Sequence, residues 1–428
     1  MTDTRHVAVI DIGKTNAKLA LVDLDVLSEV AVRTTPNTVL TDGLYPHFDC
    51  DRLWSFILDG LAAFNRETQV DAISVATHGC AAALLDENGS LALPVLDYEF
   101  AGPDEIDAEY AAVRPPFSET GTPRLPLGLN LGAQIFWQES AFPADFAKVH
   151  AILTYPQYWA WRLSGILANE ATSLGCHSDL WNPHRRSFSS LVARQGWDRK
   201  FAAVRGASEA LGPVLPELSA RLGLKSGVPV HCGIHDSNAS LYPHLLQRPA
   251  PFSVVSTGTW VIVMSIGGRE FSTLVRDAGD CTDADLSHVL GNGIMLLPSV
   301  QQGSGPFPHR AHSWIGSEAT LAPGQRFAAV SLYLAMMSAT CLELTGAAGP
   351  VIVEGPFAKN RVFGAMLSAA TGREVLASSG SATGTSIGAA LLAAEGMKPD
   401  IAFSSISPPP ALAGSMVRYA EAWQRSLA

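Results

Sequence analysis

Two similar strand–turn–strand patterns, about half a chain apart, constrain the fold of this sequence more than any other feature. In residues 7–23 an apolar run ends at Asp11, a glycine turn follows, and a second apolar run closes the pattern. In residues 252–266 an apolar run meets the turn Thr257-Gly258-Thr259, and another apolar run follows. Apolar runs joined by a short glycine turn are typical of β-hairpins. The repetition predicts two similar domains that each offer one turn to a shared ligand, such as nucleotide phosphates.

The first turn carries groups that suit a phosphate. Gly13 lets the backbone turn and lets a ligand approach its N–H groups, and the three residues after it add a cation and polar side chains. These residues are Lys14, Thr15 and Asn16. Asp11, at the end of the first strand, is placed to hold a divalent cation. On this segment alone, an ordinary surface hairpin is an equally good interpretation.

A Walker A loop is a poor interpretation of the same turn. That motif requires a second glycine where this chain has Ala8. The turn also leads into an apolar strand pattern, whereas a Walker A loop leads into a helix.

Size and composition bound the class of protein. The chain has 428 residues, of which 47% are hydrophobic and 16% charged, and this favours two domains with large apolar cores. The net charge of −11 and the lack of a basic run argue against a nucleic-acid partner. The N-terminal sequence does not resemble a signal peptide, and no apolar run of about twenty residues stands out. We therefore expect a cytoplasmic protein without a membrane partner.

The cysteines are dispersed, with no Cys-x-x-Cys pair. In a cytoplasmic protein this pattern predicts reduced thiols rather than zinc ligands or a disulfide framework. The six positions are Cys50, Cys80, Cys176, Cys232, Cys281 and Cys341.

Two polar clusters follow predicted strands in the first half of the chain. The apolar run 72–76 ends in Thr77-His78-Gly79, and the run 93–96 ends at Asp97. Ligand contacts of α/β proteins lie at such strand ends, so the two clusters predict one pocket for sugar hydroxyls. A structural histidine and ordinary surface charges remain open alternatives.

The segment 228–238 predicts a catalytic base. A strand passes Gly233 and ends at His235-Asp236, where a helix is expected to begin. The helix dipole favours the charged form of a carboxylate at that place, and a charged carboxylate can accept a hydroxyl proton. The alternative is that Asp236 only caps the helix. His235 either bonds to the substrate or packs.

A third strand–turn–helix segment lies near the C-terminus. The apolar run 351–353 is followed by Gly355, where a planar group could lie on the backbone. A glycine-rich loop around Gly303 is expected near the cleft that would hold the shared ligand.

The order of these segments resembles the FGGY carbohydrate kinases of the actin-like ATPase superfamily. The matching segments are 11–16, 77–79, 233–236, 256–260 and 355–360. Each segment alone is a weak signal, but five segments in the family order, spread over nearly the whole chain, form a specific one.

The resemblance implies an α/β fold of two ribonuclease-H-like domains with a central cleft. Residues 1–243 are expected to bind sugar and phosphate and to carry the base, and residues 244–428 to bind the nucleotide. The implied reaction is ATP-dependent phosphorylation of a sugar hydroxyl, with Mg²⁺.

The resemblance also assigns roles to individual residues. Asp236 is the implied general base, and Asp11 assists Mg²⁺. The implied substrate-binding residues are Thr77, His78, Gly79, Asp97 and His235. The implied ATP-binding residues are Gly13, Lys14, Thr15, Asn16, Thr257, Gly258, Thr259, Gly303, Gly355, Lys359 and Asn360.

The substrate is less constrained than the reaction. A five- or six-carbon ketose of the fuculose, rhamnulose, xylulose or ribulose type is the expectation. The chain departs from the family pattern at Lys14, at Cys80 and in the segment Leu96-Asp97-Tyr98. A polyol or sugar-acid kinase and a non-catalytic nucleotide-binding module are the alternatives, and a homodimer is left open.

Overall fold

The chain divides by its internal contacts into two units. The computed structural model describes residues 4–257, 261–266, 281–300, 306–307, 309–378, 384–394 and 396–427. Unit 1 comprises Met1–Pro243 and Thr385–Lys398, and unit 2 comprises His244–Gly384 and Pro399–Ala428. The structure differs from a simple division into two halves because Thr385–Lys398 belongs to unit 1. The assignment of sugar and nucleotide binding to separate halves stays a prediction.

Up to the end of α10, the described residues form strands and helices in mixed order. The strands are β1 (His6–Ile12), β2 (Asn16–Asp23), β3 (Ser28–Pro36), β4 (Val39–Leu40), β5 (His47–Phe48), β6 (Ala72–Thr77), β7 (Ala82–Leu85), β8 (Leu91–Leu93), β9 (Ala151–Thr154), β10 (Asn169–Glu170), β11 (Trp181–Asn182), β12 (Ser187–Phe188), β13 (Val204–Arg205), β14 (Ala210–Pro213), β15 (Pro229–His231) and β16 (Ile234–His235). The α-helices are α1 (Cys50–Glu67), α2 (Asp107–Val113), α3 (Phe117–Thr120), α4 (Leu131–Ala141), α5 (Pro143–Phe146), α6 (Tyr155–Ser164), α7 (Ala171–Gly175), α8 (Ser190–Arg194), α9 (Pro216–Leu222) and α10 (Asp236–Gln247).

The main sheet of unit 1 is built around the first predicted hairpin. Its strands run in the order β14-β15-β6-β1-β2-β3, and β16 also pairs with β6. β1 and β2 are antiparallel, as the sequence predicts, while β1 and β6 are parallel. β1 and β6 are apolar over most of their length because both lie inside the unit, where their side chains form the core.

Helix α1 covers this sheet with one apolar face. Leu53, Ile57, Leu61 and Phe64 recur at helical spacing and are buried in the core. The cap is Asp49, whose Oδ1 accepts a hydrogen bond from the backbone N–H of Arg52 at 3.0 Å.

The elements after α10 include those of unit 2. The strands are β17 (Phe252–Thr257), β18 (Val261–Ile266), β19 (Met295–Leu297), β20 (Ser313–Ile315), β21 (Val351–Glu354), β22 (Val375–Ser378) and β23 (Phe403–Ile406). The α-helices are α11 (Asp283–Gly291), α12 (Pro323–Leu344), α13 (Arg361–Thr371), α14 (Thr385–Leu391) and α15 (Ala413–Arg425). The second predicted hairpin is confirmed as β17 and β18, in a sheet with the order β18-β17-β21-β22-β23.

Helix α14 belongs to unit 1 because of its small residues. A Cβ atom on Gly388 would lie 1.8 Å from the backbone oxygen of Ala239 in α10, so only glycine allows this approach. The hydroxyls of Ser240 and Thr385 lie 3.2 Å apart across the same contact.

Helix α12 corrects one expectation from the sequence. It is long and apolar enough to cross a membrane by length and composition, although no such run was expected. However, 72% of its most apolar window is buried inside the protein, where it forms part of the unit 2 core. This burial is typical of the core helix of a globular domain.

Candidate active site

Three neighbouring parallel strands of unit 1 end at the same place and bring the predicted catalytic residues together. Asp11 of β1 lies opposite Ala76 of β6, and His235 of β16 lies opposite Thr77. Thr77-His78-Gly79 follows from β6, and Asp236 follows directly from β16. We call this end of the three strands the site edge. The sequence positions are far apart, so the sheet register is what brings them together.

Asp11 lies at the site edge in a nearly buried position. Its side chain is 15% exposed, and Lys18 Nζ lies 3.5 Å from Oδ2. Burial raises the pKa of Asp11 to about 6, Lys18 opposes this shift, and the nearby Asp236 carboxylate adds to it. Lys18 is shared with Glu29, whose Oε1 accepts its hydrogen bond at 2.9 Å. Asp11 therefore shares one ammonium group with Glu29 and also senses the negative charge of Asp236, which favours a further cation.

Asp236 is the first residue of helix α10, as predicted. Its Oδ1 accepts hydrogen bonds from the backbone N–H and the hydroxyl of Ser237, at 2.6 and 3.1 Å. Both donors belong to the adjacent residue, whereas a capping side chain bonds to N–H groups two or three residues on. The side chain is 29% exposed. It is therefore fixed in orientation and remains accessible.

His235 connects Asp236 to a second group of residues. Its Nε2 lies 3.1 Å from Asp236 Oδ1 and 3.4 Å from Cys176 Sγ, and its Nδ1 lies 2.9 Å from Asn238 Oδ1. Burial would lower the pKa of His235, but the Cys176 thiolate and the Asp236 carboxylate outweigh it and raise the pKa to about 10. The ring can therefore donate a hydrogen bond to the Asp236 carboxylate at neutral pH.

His78 lies among aromatic rings. Its ring centroid is 5.0 Å from that of Phe48, 5.1 Å from that of Tyr155 and 5.3 Å from that of Tyr98. Burial lowers its pKa to about 4, so the ring is neutral at physiological pH. Nδ1 lies 2.7 Å from the Gly79 carbonyl oxygen, to which it can bond only by donating its proton. The neutral ring therefore has Nε2 left as an acceptor. Within the described part of the chain, this buried Nε2 has no hydrogen-bond partner.

The contacts of Thr77 and Gly79 in the structure are with neighbouring protein groups. The Thr77 hydroxyl is buried and donates to the His78 carbonyl at 2.8 Å. A Cβ atom on Gly79 would lie 2.7 Å from Cys176 Sγ and 3.1 Å from His235 Nε2, so glycine is needed for this close packing.

The Lys14 side chain lies against two acidic residues, which does not suit the predicted phosphate-binding role. Its Nζ forms an ion pair with Asp97 and lies 3.3 Å from Glu99 Oε2. It also lies 5.2 and 4.9 Å from the ring centroids of Phe48 and Tyr98. Lys14 therefore belongs with the residues assigned to the sugar, although the sequence places it with the phosphates.

Two side chains of the first turn remain available to a ligand, whereas the Gly13 N–H already has a partner within the turn. The Thr15 and Asn16 side chains are exposed. The Gly13 N–H donates to the Asn16 carbonyl at 2.9 Å, and the Asn37 amide donates to the Gly13 carbonyl at 2.9 Å. These hydrogen bonds fix the turn, and its Thr15 and Asn16 side chains face solvent.

The structure describes only some of the residues assigned to the nucleotide. Gly355 has a positive φ of 76° and Lys359 is exposed. Asn360 caps α13: its Oδ1 accepts from the Phe363 N–H at 3.0 Å, and its amide donates to Ser331. A cap is thus its visible role. Thr257 ends β17, and Gly258, Thr259 and Gly303 lie outside the described residues.

Sequence reasoning missed a group of thiols and imidazoles beside the site edge. Cys50, Cys80, Cys176 and Cys232 form no disulfide in the structure. However, Cys80 and Cys176 are not isolated, because their Sγ atoms and a ring nitrogen of His177 lie within 4.8 Å of one another. The hydrogen bond from Cys80 holds the pKa of the Cys176 thiol well below its ordinary range, whereas burial raises the pKa of Cys80.

Comparison with known proteins identifies the family. The N-terminal domain of the FGGY family of carbohydrate kinases matches residues 6–242, and the carbohydrate kinase FGGY C-terminal domain matches residues 265–400. The chain belongs to the FGGY family of carbohydrate kinases. The predicted family and the predicted class of two α/β domains of the actin-like ATPase type are therefore confirmed.

The sequence identity to individual relatives is modest. L-fuculokinases from Salmonella typhi and Escherichia coli (strain K12) are 25% and 26% identical over 305 and 308 residues, which is 68% of this chain. The match spans 64% of the length of these curated relatives. A solved structure of a carbohydrate kinase from Novosphingobium aromaticivorans is 32% identical, with a TM-score of 0.86, and the match covers 99% of this chain and 98% of that one.

Proposed function

We propose that this protein transfers a phosphoryl group from ATP to a hydroxyl of a neutral five- or six-carbon ketose, with Asp236 as general base. The observation that carries this proposal is the meeting of Asp11, His78 and Asp236 at the site edge. Phosphoryl transfer needs alignment, charge neutralisation and a base, and these residues offer one group for each need. The L-fuculokinase relatives support a ketose-type substrate.

In this mechanism Asp236 accepts the proton of the attacking hydroxyl. Its orientation is supported by the Ser237 donors and by the protonated His235 ring. A carboxylate held in this way acts as the base without moving. His78 Nε2 accepts a hydrogen bond from a second sugar hydroxyl, because Nδ1–H already donates to the Gly79 carbonyl. The exposed Thr15 and Asn16 side chains and the Gly13 turn bind phosphate oxygens.

Asp11 fits the role of a Mg²⁺ ligand. Its carboxylate oxygens are the ligand type that Mg²⁺ prefers, and the approach of Asp236 leaves the site short of positive charge. When bound, Mg²⁺ would neutralise the charge on the transferred phosphoryl group.

The charges around Lys14 support a neutral substrate over a sugar acid. Lys14 is the feature that favours a sugar acid, because an ammonium in this pocket could pair with a substrate carboxylate. However, Asp97 and Glu99 already surround it, so two carboxylates face one ammonium. A further anion would meet repulsion here.

A screen for ADP release with Mg²⁺ and ATP tests the proposal. The panel contains neutral ketoses, aldoses, polyols and sugar acids, and each hit is repeated with Asp236→Asn. We expect one neutral ketose to be preferred, and the variant to phosphorylate it about two to four orders of magnitude more slowly. ATP binding without ADP release across the panel would contradict the proposal and favour a non-catalytic nucleotide-binding module.

Asp97→Asn separates the two substrate classes. Removing one of the two carboxylates around Lys14 is expected to raise the ratio of sugar-acid to ketose kcat/KM. A wild-type preference for a sugar acid would overturn the neutral-substrate proposal while leaving the kinase reaction intact.

A further inference from the structure

Four side chains capable of binding a soft metal ion lie together beside the site edge. Cys80 follows β6 after two residues, and Cys176 and His177 follow α7. Cys80 is buried, whereas Cys176 and His177 are half-buried, so the group can be reached from solvent. His235, the fourth member, is the last residue of β16. We call these four residues the thiol–imidazole cluster.

Two sulfur–nitrogen distances within the cluster match those between the ligands of a tetrahedral zinc site. Zn–S bonds of about 2.3 Å and Zn–N bonds of about 2.0 Å place sulfur and nitrogen ligands about 3.5 Å apart. Cys176 Sγ lies 3.4 Å from His235 Nε2, and Cys80 Sγ lies 3.1 Å from His177 Nδ1 and 3.7 Å from its Nε2. The two sulfur atoms and His177 also lie within 4.8 Å of one another. Small shifts of these side chains would complete the site.

Nδ1 of each histidine in the cluster has an oxygen partner. His177 Nδ1 lies 2.7 Å from the Leu129 carbonyl oxygen, and His235 Nδ1 lies 2.9 Å from Asn238 Oδ1. In each ring Nδ1–H can donate to an oxygen, which leaves Nε2 to bind a metal. Histidine ligands of zinc sites are held by the same kind of outer hydrogen bond.

We propose that Cys80, Cys176 and His177 bind a thiophilic divalent cation, with Zn²⁺ as the best fit and His235 as the fourth ligand. Two thiolates and two imidazoles select Zn²⁺ over Mg²⁺, which prefers oxygen ligands. This site differs from the predicted Mg²⁺ site at Asp11 in both ligands and metal.

Metal binding at the cluster would act on the catalytic base. The Nε2–H group of His235 is the one that donates to Asp236, at 3.1 Å, and a metal on Nε2 would replace that donor. Zn²⁺ is therefore expected to inhibit sugar phosphorylation. This regulatory consequence rests on the proposed function, whereas metal binding itself does not.

Co²⁺ titration of the full chain tests the site directly, because thiolate–Co²⁺ charge transfer is visible in the absorption spectrum. The protein is first treated with a chelator and kept reduced with a phosphine. We expect one Co²⁺ per chain, a thiolate band, and displacement by Zn²⁺. Cys176→Ser and His177→Gln should each weaken Zn²⁺ binding at least about 10-fold. Cys281→Ser, a half-buried cysteine in unit 2, is the matched control and should bind like the wild type.

Three results would overturn the proposal. The first is the absence of a thiolate–Co²⁺ band in the wild type, and the second is a band that persists in Cys176→Ser. The third is formation of a Cys80–Cys176 disulfide with no metal bound. If Cys80→Ser does not fold, the Cys176 and His177 variants carry the test. Zn²⁺ binding in a protein without kinase activity would refute the proposed function and leave the site standing.

Discussion

The two ends of β1 and β6 use charged residues in opposite ways. At the N-terminal end, Asp71 Oδ2 accepts from the backbone N–H groups of His6 and Arg5, at 3.0 and 3.2 Å, and Oδ1 accepts from Lys225 at 2.8 Å. Burial would raise the pKa of Asp71, but these donors outweigh it and lower the pKa to about 2. At the site edge, burial instead raises the pKa of Asp11 to about 6.

This difference separates a structural end of the strands from the end that holds the proposed active site. Asp71 has donors that favour its charge, so its ionisation stabilises the fold. Asp11 is buried near a second carboxylate, so its ionisation costs free energy. His78 likewise keeps a buried ring nitrogen without a partner among the described residues. Costs of this kind are typical of sites that a ligand completes.

The largest expected effect is on catalysis at the site edge. Asp236→Asn removes the proposed proton acceptor but keeps the side-chain shape, so kcat should fall by about two to four orders of magnitude. Nucleotide binding should be retained, because the change leaves the turn proposed to bind phosphate intact. Steady-state kinetics and calorimetry with ATP measure the two quantities.

Asp71→Asn is the matched control, because it changes the same chemical group at the other end of the strands. It should lower stability and leave kcat unchanged. Near-full activity of Asp236→Asn would refute the general-base role.

The next effect concerns the substrate contact proposed for His78. His78→Phe keeps an aromatic ring among Phe48, Tyr98 and Tyr155 but removes the acceptor, so kcat/KM should fall about 10- to 100-fold. His231→Phe is the control, since His231 is also buried and bonds to a backbone carbonyl through Nδ1. That control should leave KM unchanged.

The same variant has an effect on the pH dependence of stability. Because its folded pKa is about 4 against an ordinary 6.5, His78 takes up a proton more readily in the unfolded chain. Stability from this residue is therefore fully present above pH 6.5 and is lost as the pH falls toward 4. Urea midpoints should decline less over this range in His78→Phe. An identical decline in both proteins would show that His78 is not the group that titrates.

The sequence predicts the local parts of this picture well. Both hairpins, strand β6 and the helix that begins at Asp236 follow from apolar periodicity and glycine turns, which depend on neighbouring residues alone. Contacts between residues that are distant in the sequence are not predicted in this way. Lys14 and Asp97 are 83 positions apart, and Cys80 and His177 are 97 apart, so no spacing rule connects them. Only the sheet register and the packing of α7 bring these side chains together.

A smaller effect is expected at the structural end. Asp71→Asn removes a charge that Lys225 and two backbone donors favour, so the free energy of unfolding should fall by about 1 kcal/mol at pH 7. The folded pKa is lowered from 3.8 to about 2, so this contribution is present above pH 3.8 and is lost as the pH falls through 2. Urea midpoints of wild type and variant should therefore converge in acid. A constant difference at every pH would mean that packing, not charge, explains the loss.

The smallest effect should have the opposite sign and occur at Asp11. Asp11→Asn removes a buried charge, so in chelator the free energy of unfolding should rise by about 0.5–1 kcal/mol at pH 8. Because the folded pKa is raised from 3.8 to about 6, the penalty is present above pH 6 and absent below pH 3.8, where the carboxyl is protonated in both states. The gain should therefore disappear in acid. If Asp11→Asn instead lowers stability at pH 8, as Asp71→Asn does at pH 7, then the ion pair with Lys18 outweighs burial. The two ends of β1 would then use their carboxylates in the same way.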